Sequence, residues 1–407
     1  MCSVREIIKK IPIWKSRIFW NRYFYCSTER SIDPYTIEPR TNKKEYSKVL
    51  HAIKENNELF DLFVKNEEYS PLFLDKYQRF PYYLSKYRDI FNPKVSEFLV
   101  KKGLRIEYPE KRKFAVCLTH DIDAVRLSRS EVGYFFASAL PKRDLGGSVK
   151  IGFKLIKNSK LLRNFDDIMN LEEKYDARSS FYFEALQNGD KDFNYNIAEL
   201  KNELKDISAR GWEIGLHGGH AAYNNLEEIK LEKSRLEDVI SKKVIGYRNH
   251  YLRFETPLTW KLLSEAGFEY DTSFGYNDVV GFRNGMCHPF RPFDMNADAE
   301  VNILEVPLNI SDVALSEDYM RFGERSSWEI TKLLIDRVEK CSGVLTVLWH
   351  NNSLFDKKMS RLLSVDACSN KEFFERILRY CSEKKAWITS CEEVCKFWAK
   401  HEEFVML

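Results

Sequence analysis

Two aspartates one position apart close the run Phe114-Ala-Val-Cys-Leu-Thr-His-Asp-Ile-Asp123. An apolar, β-prone stretch stops abruptly there in one imidazole and two carboxylates. In α/β proteins, functional side chains collect where a strand gives way to its loop. Two carboxylates so placed can divide the work of metal-assisted hydrolysis, one holding a cation while the other accepts a proton. Taken alone, the pattern is weak, because Asp-rich loops after strands are more often solvated turns.

The histidines give it weight. Six of the eight lie between positions 120 and 350: His120, His217, His220, His250, His288 and His350. The segments Trp212-Glu-Ile-Gly-Leu-His217-Gly-Gly-His220, Val244-Ile-Gly-Tyr-Arg248-Asn-His250 and Val344-Leu-Thr-Val-Leu-Trp-His350 each carry histidine after an apolar run or in a glycine turn. Neutral imidazole is a common ligand for zinc and similar ions and a ready acid or base. Any one of these histidines reads equally as a packed or surface residue. Repeated choice of strand ends does not fit filler.

The elements that must position these groups show in the alternation of short β-prone runs with amphipathic stretches. The pattern predicts strands near 114–119, 179–183, 212–216, 244–247, 303–306, 344–349 and 386–389. Helices are expected near 165–175, 197–209, 226–241, 256–266, 326–340 and 371–384. Seven strands interleaved with helices predict an α/β fold, a distorted (β/α) barrel of about seven parallel strands. Residues 1–110 read as a mainly helical accessory region, with helical spacing around 46–63 and 89–102, and residues 111–407 as the barrel.

Several function classes are excluded. No GxGxxG follows a strand, and no GxxxxGK[ST] or GxSxG occurs, so dinucleotide, P-loop and nucleophile-elbow readings lack their motifs. A balance of 64 basic against 61 acidic residues gives no argument for nucleic acid. No run approaches the ~20 apolar residues of a membrane span. The basic, aromatic N-terminus around 7–20 leaves peripheral contact with an anionic surface open, beside the plainer reading of a packed helix. Nine cysteines, an odd number without CxxC, fit reduced thiols, and a cytoplasmic location is expected. Cys391 and Cys395, four apart on a predicted helix, read as packing residues.

In order, five short motifs resemble the polysaccharide deacetylase (NodB-homology) family, carbohydrate esterase family 4, over roughly 114–390. They are Thr119-His-Asp121-Ile-Asp123, His217-Gly-Gly-His220, Gly246-Tyr-Arg248-Asn-His-Tyr251, Tyr270-Asp271-Thr-Ser273 and Leu348-Trp-His350. Leu252-Arg-Phe254 and the stretch 281–290 match a variant of that family. The resemblance implies a metal-dependent carbohydrate N-deacetylase acting on an N-acetylated carbohydrate. It implies Asp121 as base, His350 as acid, and Arg248 with Asp271 completing the catalytic set. It places Asp123, His217 and His220 on a divalent ion. Zinc is expected, with cobalt, nickel or manganese as other candidates. His250, Tyr251, Arg283 and Trp349 are expected at the substrate.

One departure stands out. His217 and His220 are three apart, and Ala221 stands where the family's second histidine falls. Either His220 ligates from a shifted backbone, or the ion rests on Asp123, His217 and some other group, water included, with His220 beside it. His120 is expected in a structural or supporting place, and His288 is open. Two other functions stay open at this point: hydrolysis of a non-peptide C–N bond in a small molecule, or a non-catalytic carbohydrate-binding barrel.

Overall fold

The computed structural model describes residues 47–127, 161–316, 318–355 and 366–401. The basic N-terminal segment around 7–20 lies outside them. Strand β1 (Ala115–Ile122) is buried along its whole length, as a run with side chains packed on both faces of a covered parallel sheet should be. In chain order there follow β2 (Ser180–Phe183), β3 (Glu213–Gly218), β4 (Gly246–Asn249) and β5 (Tyr270–Asp271). After these come β6 (Phe293–Asp294), β7 (Ala299–Glu300), β8 (Leu304–Glu305), β9 (Ile310–Ser311), β10 (Val344–Leu348) and β11 (Trp387–Thr389). Strands β6 and β7 form a separate antiparallel pair. The other nine make one sheet in the order β8-β5-β4-β3-β2-β1-β10-β9, with β11 also paired to β1.

Every pairing in that sheet is parallel. Strand β10 runs beside Ala115–Thr119 of β1. Strand β2 pairs with β1 at Thr119–Ile122, while β11 pairs at Ala115–Cys117. Among the described residues no ladder joins β8 to β9, so the sheet curls into a barrel that does not close. Its interior holds large rings because glycine faces them: a Cβ on Gly215 would run into the Tyr182 ring, and one on Gly246 into Tyr270.

Helices α1 (Lys48–Lys54), α2 (Asn57–Val64) and α3 (Lys94–Lys101) form the N-terminal region. They pack on the segment that carries β6 and β7: Phe60 meets Phe293 and Phe63 meets Phe290 edge to face, and Val95 N–H donates to the Gly285 carbonyl. Helices α4 (Phe165–Glu173), α5 (Lys201–Ala209), α6 (Leu226–Ile240) and α7 (Leu258–Glu265) alternate with the strands. The short α8 (Asp312–Leu315), then α9 (Glu324–Cys341), α10 (Lys371–Glu383) and α11 (Cys391–His401), complete the chain. Asparagine caps start two of them, Asn225 accepting from Glu228 N–H and Asn370 from Phe373 N–H, as N-caps do. Helix α10 buries Phe373, Phe374, Ile377, Leu378 and Cys381, the 3.6-residue stripe of a helix lying on a core.

All seven strands expected from sequence are present, joined by the two-residue strands β5 and β9. The seven described cysteines are free and buried, Cys391 and Cys395 among them. Among the described residues no helix is long and apolar enough to cross a membrane.

Candidate active site and metal centre

Six strands deliver polar side chains to one end of the sheet. Asp121 lies on β1 and Asp123 just beyond it; Glu184 follows β2; His217 lies on β3; Arg248 lies on β4 with His250 just beyond; Asp312 follows β9; and His350 comes shortly after β10. Parallel register brings them together, with His217 directly opposite Arg248.

Four of these residues form a group with metal-binding geometry. One ligand atom from each of Asp123, Glu184, His217 and His250 lies within 4.8 Å of all the others. His217 Nδ1 donates to the Arg248 carbonyl at 3.1 Å, which leaves Nε2 as its lone-pair nitrogen. That nitrogen sits 3.1 Å from His250 Nδ1 and 3.1 Å from Asp123 Oδ1. Asp123 Oδ1 and Glu184 Oε1 are buried without a hydrogen-bond partner, a costly arrangement unless a cation is shared. Two carboxylates and two imidazoles are a donor set that zinc and related divalent ions accept. The group fits such an ion.

The electrostatics agree. Burial would raise the Asp123 pKa, but the imidazoles of His250, His217 and His350 outweigh it and hold the carboxyl well below its usual value. Burial, reinforced by the carboxylates of Asp123, Glu232, Asp192 and Asp121, pushes Glu184 well above its own.

Two further groups border the four. Asp121 places Oδ2 3.9 Å from His217 Nε2 and Oδ1 3.8 Å from Arg248 Nε. Arg248 is completely buried, its Nη2 donating to the Thr119 and Thr272 hydroxyls and its guanidinium lying over the Tyr182 ring. His350 points Nε2 toward Asp123 Oδ2 at 3.6 Å. Behind it, Asp312 accepts from both His350 Nδ1 at 2.8 Å and the His350 backbone N–H at 2.9 Å. Burial would lower the His350 pKa; Asp312, helped by Asp123 and Asp121, raises it instead to about 10. Leu348, two residues before this histidine, packs with Leu252 and Leu308 in a small buried apolar cluster.

His120 faces the other side of β1. Its Nδ1 meets the Trp349 carbonyl at 2.7 Å and its Nε2 meets Glu172 Oε1 at 2.8 Å. Glu172 also accepts from Ser179 and Trp212. The pair pins the backbone immediately before His350, which is the supporting place expected of His120.

The other expected residues fall at and around this group. His220 stands outside the four-residue group. Its Nε2 meets Lys191 Nζ at 2.9 Å and its Nδ1 faces Asp192 at 3.4 Å. Burial, with Arg253 and Lys191 close by, lowers its pKa to about 4; two cationic neighbours make a poor place for another cation. Asp271 is buried beside Glu305, accepts from Ser273, and has its pKa raised by that burial. Trp349 is buried with its Nε1 donating to the Ser369 carbonyl and its ring against Phe373 and Phe374. It faces the helix layer rather than the sheet end. Arg283 spends its donors on Glu68 and the Gly275 carbonyl. Tyr251 borders the site, its ring 4.4 Å from Tyr77 and 3.9 Å from His250. His288 lies in the core between Ser96 and the Cys341 carbonyl.

Glu184 and Asp312 had no place in the sequence reading. Glu184 follows the apolar run Phe181-Tyr-Phe183, the same signal that marked Asp121 and Asp123. Asp312 follows a strand too short to show a period.

No protein-family model matches the chain, and no curated protein matches it. Among solved structures, it is similar to a protein assigned as a polysaccharide deacetylase from Mycobacterium smegmatis, at 16% identity and TM-score 0.47, over 74% of this chain and 95% of that one. Peptidoglycan deacetylase PdaC from Bacillus subtilis is similar at 10% identity and TM-score 0.32, over 73% and 96%. A CE4-family pseudoenzyme from Bacillus anthracis is similar at 12% identity and TM-score 0.34, over 71% and 66%. Two of these three are described as deacetylases and one as a pseudoenzyme, and activity does not follow from a shared fold.

Proposed function

We propose that this chain is a metal-dependent hydrolase that removes the N-acetyl group from an amino sugar in a polysaccharide or glycan precursor. The observation that carries the reading is the four-residue group of Asp123, Glu184, His217 and His250, flanked by a carboxylate outside it, Asp121, and a carboxylate-held imidazole, His350. The five ordered motifs support the substrate class.

When bound, a divalent ion supplies Lewis-acid polarisation of the amide carbonyl and lowers the pKa of water. The chain's own residues do the rest. Asp121, oriented by Arg248, takes the proton that water loses as its oxygen attacks the carbonyl carbon. His350, kept protonated by Asp312, gives its Nε2 proton to the departing amine as the C–N bond breaks. Acetate and a free amino sugar are the products. Leu252, Leu308 and Leu348 offer an apolar seat for the acetyl methyl group.

Metal analysis of the purified chain, paired with acetate release from N-acetylated glycans and from small amides, tests this. Bound or recruited divalent metal with acetate from glycans is expected. A chain that takes up no such ion is not this enzyme, and turnover of small amides alone moves the substrate class.

A further inference from the structure

A cavity of about 110 Å³ lies against Leu252. Its lining includes Arg79, Tyr83, Leu252, Asp278, Arg283 and Tyr319. Leu252 is two residues beyond His250, and it packs with Leu308 and Leu348. Two of the contributing segments continue elements that carry site residues, β4 and α8, and a third continues β5. Leu252 follows β4, Asp278 follows β5, and Tyr319 follows α8, whose first residue is Asp312. The fourth segment, 75–83, comes from the N-terminal region and is tied to the site's rim, since Arg79 Nη1 donates to the Tyr251 carbonyl at 2.6 Å.

The lining selects for charge and shape. Asp75 and Asp278 balance Arg79 and Arg283. Arg79 is spent on Asp75 and the Tyr251 carbonyl, and Arg283 on Glu68 and the Gly275 carbonyl. Little guanidinium is left for a phosphate or carboxylate, so an anionic ligand is disfavoured. Two large aromatic side chains remain exposed at the cavity, Tyr83 at 47% and Tyr319 at 38%. Both are among the few exposed large hydrophobic side chains of the described residues. An open aromatic face with a polar edge, beside the carboxylate of Asp278, which accepts from the Tyr82 N–H and keeps lone pairs for hydroxyl donors, suits an uncharged polyol ring.

Resting on the deacetylase reading, we propose that this cavity is a subsite for the neutral sugar ring adjoining the acetylated residue, so that the substrate is an oligomer rather than a free amino sugar. The ring lies against Tyr83 and Tyr319 with its hydroxyls donating to Asp278, and the N-terminal region thereby forms one wall of the substrate groove.

Binding to the full chain, measured by calorimetry in the absence of metal, tests it without requiring turnover. The probes are N-acetylglucosamine and N-acetylgalactosamine, each as monomer and as tetramer. At least one tetramer should bind about tenfold or more tighter than its monomer, the scale of one ordered ring contact with its hydrogen bonds. Tyr83→Ala combined with Tyr319→Ala should remove most of that advantage, and Asp278→Asn part of it, with thermal melts confirming that the variants fold. Tetramers that bind no tighter than monomers, or variants that keep the full advantage in a folded chain, overturn the subsite. Tetramer binding that follows the prediction in a chain releasing no acetate with any metal keeps the subsite and sinks the deacetylase. Equal acetate release from monomer and tetramer, unaffected by the variants, does the reverse.

Discussion

His250, more than His220, is the imidazole that the geometry joins to Asp123 and His217. His250 Nδ1 stands 3.1 Å from His217 Nε2, whereas His220 has Lys191 and Asp192 as its neighbours. Replacing His250 by alanine should lower metal affinity by at least ~10-fold, the scale seen even for residues that only orient a ligand. His220→Ala should change it far less. Metal titration of both variants decides, and a larger loss for His220→Ala would return the ligand set to the sequence expectation. Asp121→Asn separates ligation from proton transfer. The amide keeps the carboxylate's size but cannot accept a proton near neutrality, so metal should stay bound while turnover drops ~10²–10⁴-fold. An active Asp121→Asn variant would remove the base. The residue types of this site were largely legible in the sequence, because acids and histidines recur at strand ends. Which histidine joins the group was not, since it depends on where a glycine-rich loop leaves His220 and where the Tyr251 backbone, at φ 59°, turns His250.

At the scale of elements, the long strands and helices were readable because each carries a full period of burial, as in β1 and α10. Strands β5 and β9 have two residues each, too few to show alternation. Asp312 was invisible for that reason, although it has a testable place. Both of its oxygens accept from His350, and asparagine can satisfy only one of those donors. If the amide N–H turns to Nδ1, the imidazole proton moves to Nε2 and the protonated ring loses its partner. Asp312→Asn should therefore lower amide hydrolysis by ~10²-fold or more, as misplacing the proton on a catalytic imidazole does elsewhere. An activated ester, whose leaving group needs little proton help, should suffer less. Equal losses on the amide and the ester would strip His350 of its role as acid. Strand β3 gives a prediction of another kind at the far end of the sheet. Glu213 accepts from Ser180 and Tyr270 and has its pKa raised to about 7, burial being the largest cause. A carboxyl raised from 4.5 in this way lends stability that is complete below about pH 4.5 and lost as pH rises through 7. The loss is on the order of 3 kcal/mol. Glutamine mimics the protonated form, its amide donating to Tyr270, which then donates to Tyr182. Urea unfolding across pH 4.5–8 should show a smaller decline for Glu213→Gln than for the parent chain, and parallel declines would place the group's proton elsewhere.

Over the whole molecule, the N-terminal helices and the barrel share buried charge. Arg283 and Glu68 are each about 4% exposed and joined by two hydrogen bonds of 3.1 and 2.6 Å. Thr256 donates to the same carboxylate, and Lys65, fully buried, lies 3.6 Å from its other oxygen. Lys65 also reaches Tyr276 on the loop beyond β5. None of this could be read from the sequence, where Glu68 sits in a polar stretch without periodicity and Arg283 resembled a substrate contact. A buried pair of this kind is weak evidence for net stability, because removing two charges from water costs about as much as their attraction returns. Losing one partner is different. Glu68→Leu leaves a guanidinium buried with only a carbonyl to serve it, and should cost ~3–5 kcal/mol. Replacing both, as Glu68→Leu with Arg283→Met, removes the stranded charge and should recover most of that loss. Denaturant midpoints of the two single variants, the double variant and the parent chain close the cycle. Additive losses would mean that the two side chains act independently and that this pair does not couple the N-terminal helices to the barrel. Strong coupling would mean that residues 57–68 belong to the barrel's own folding unit.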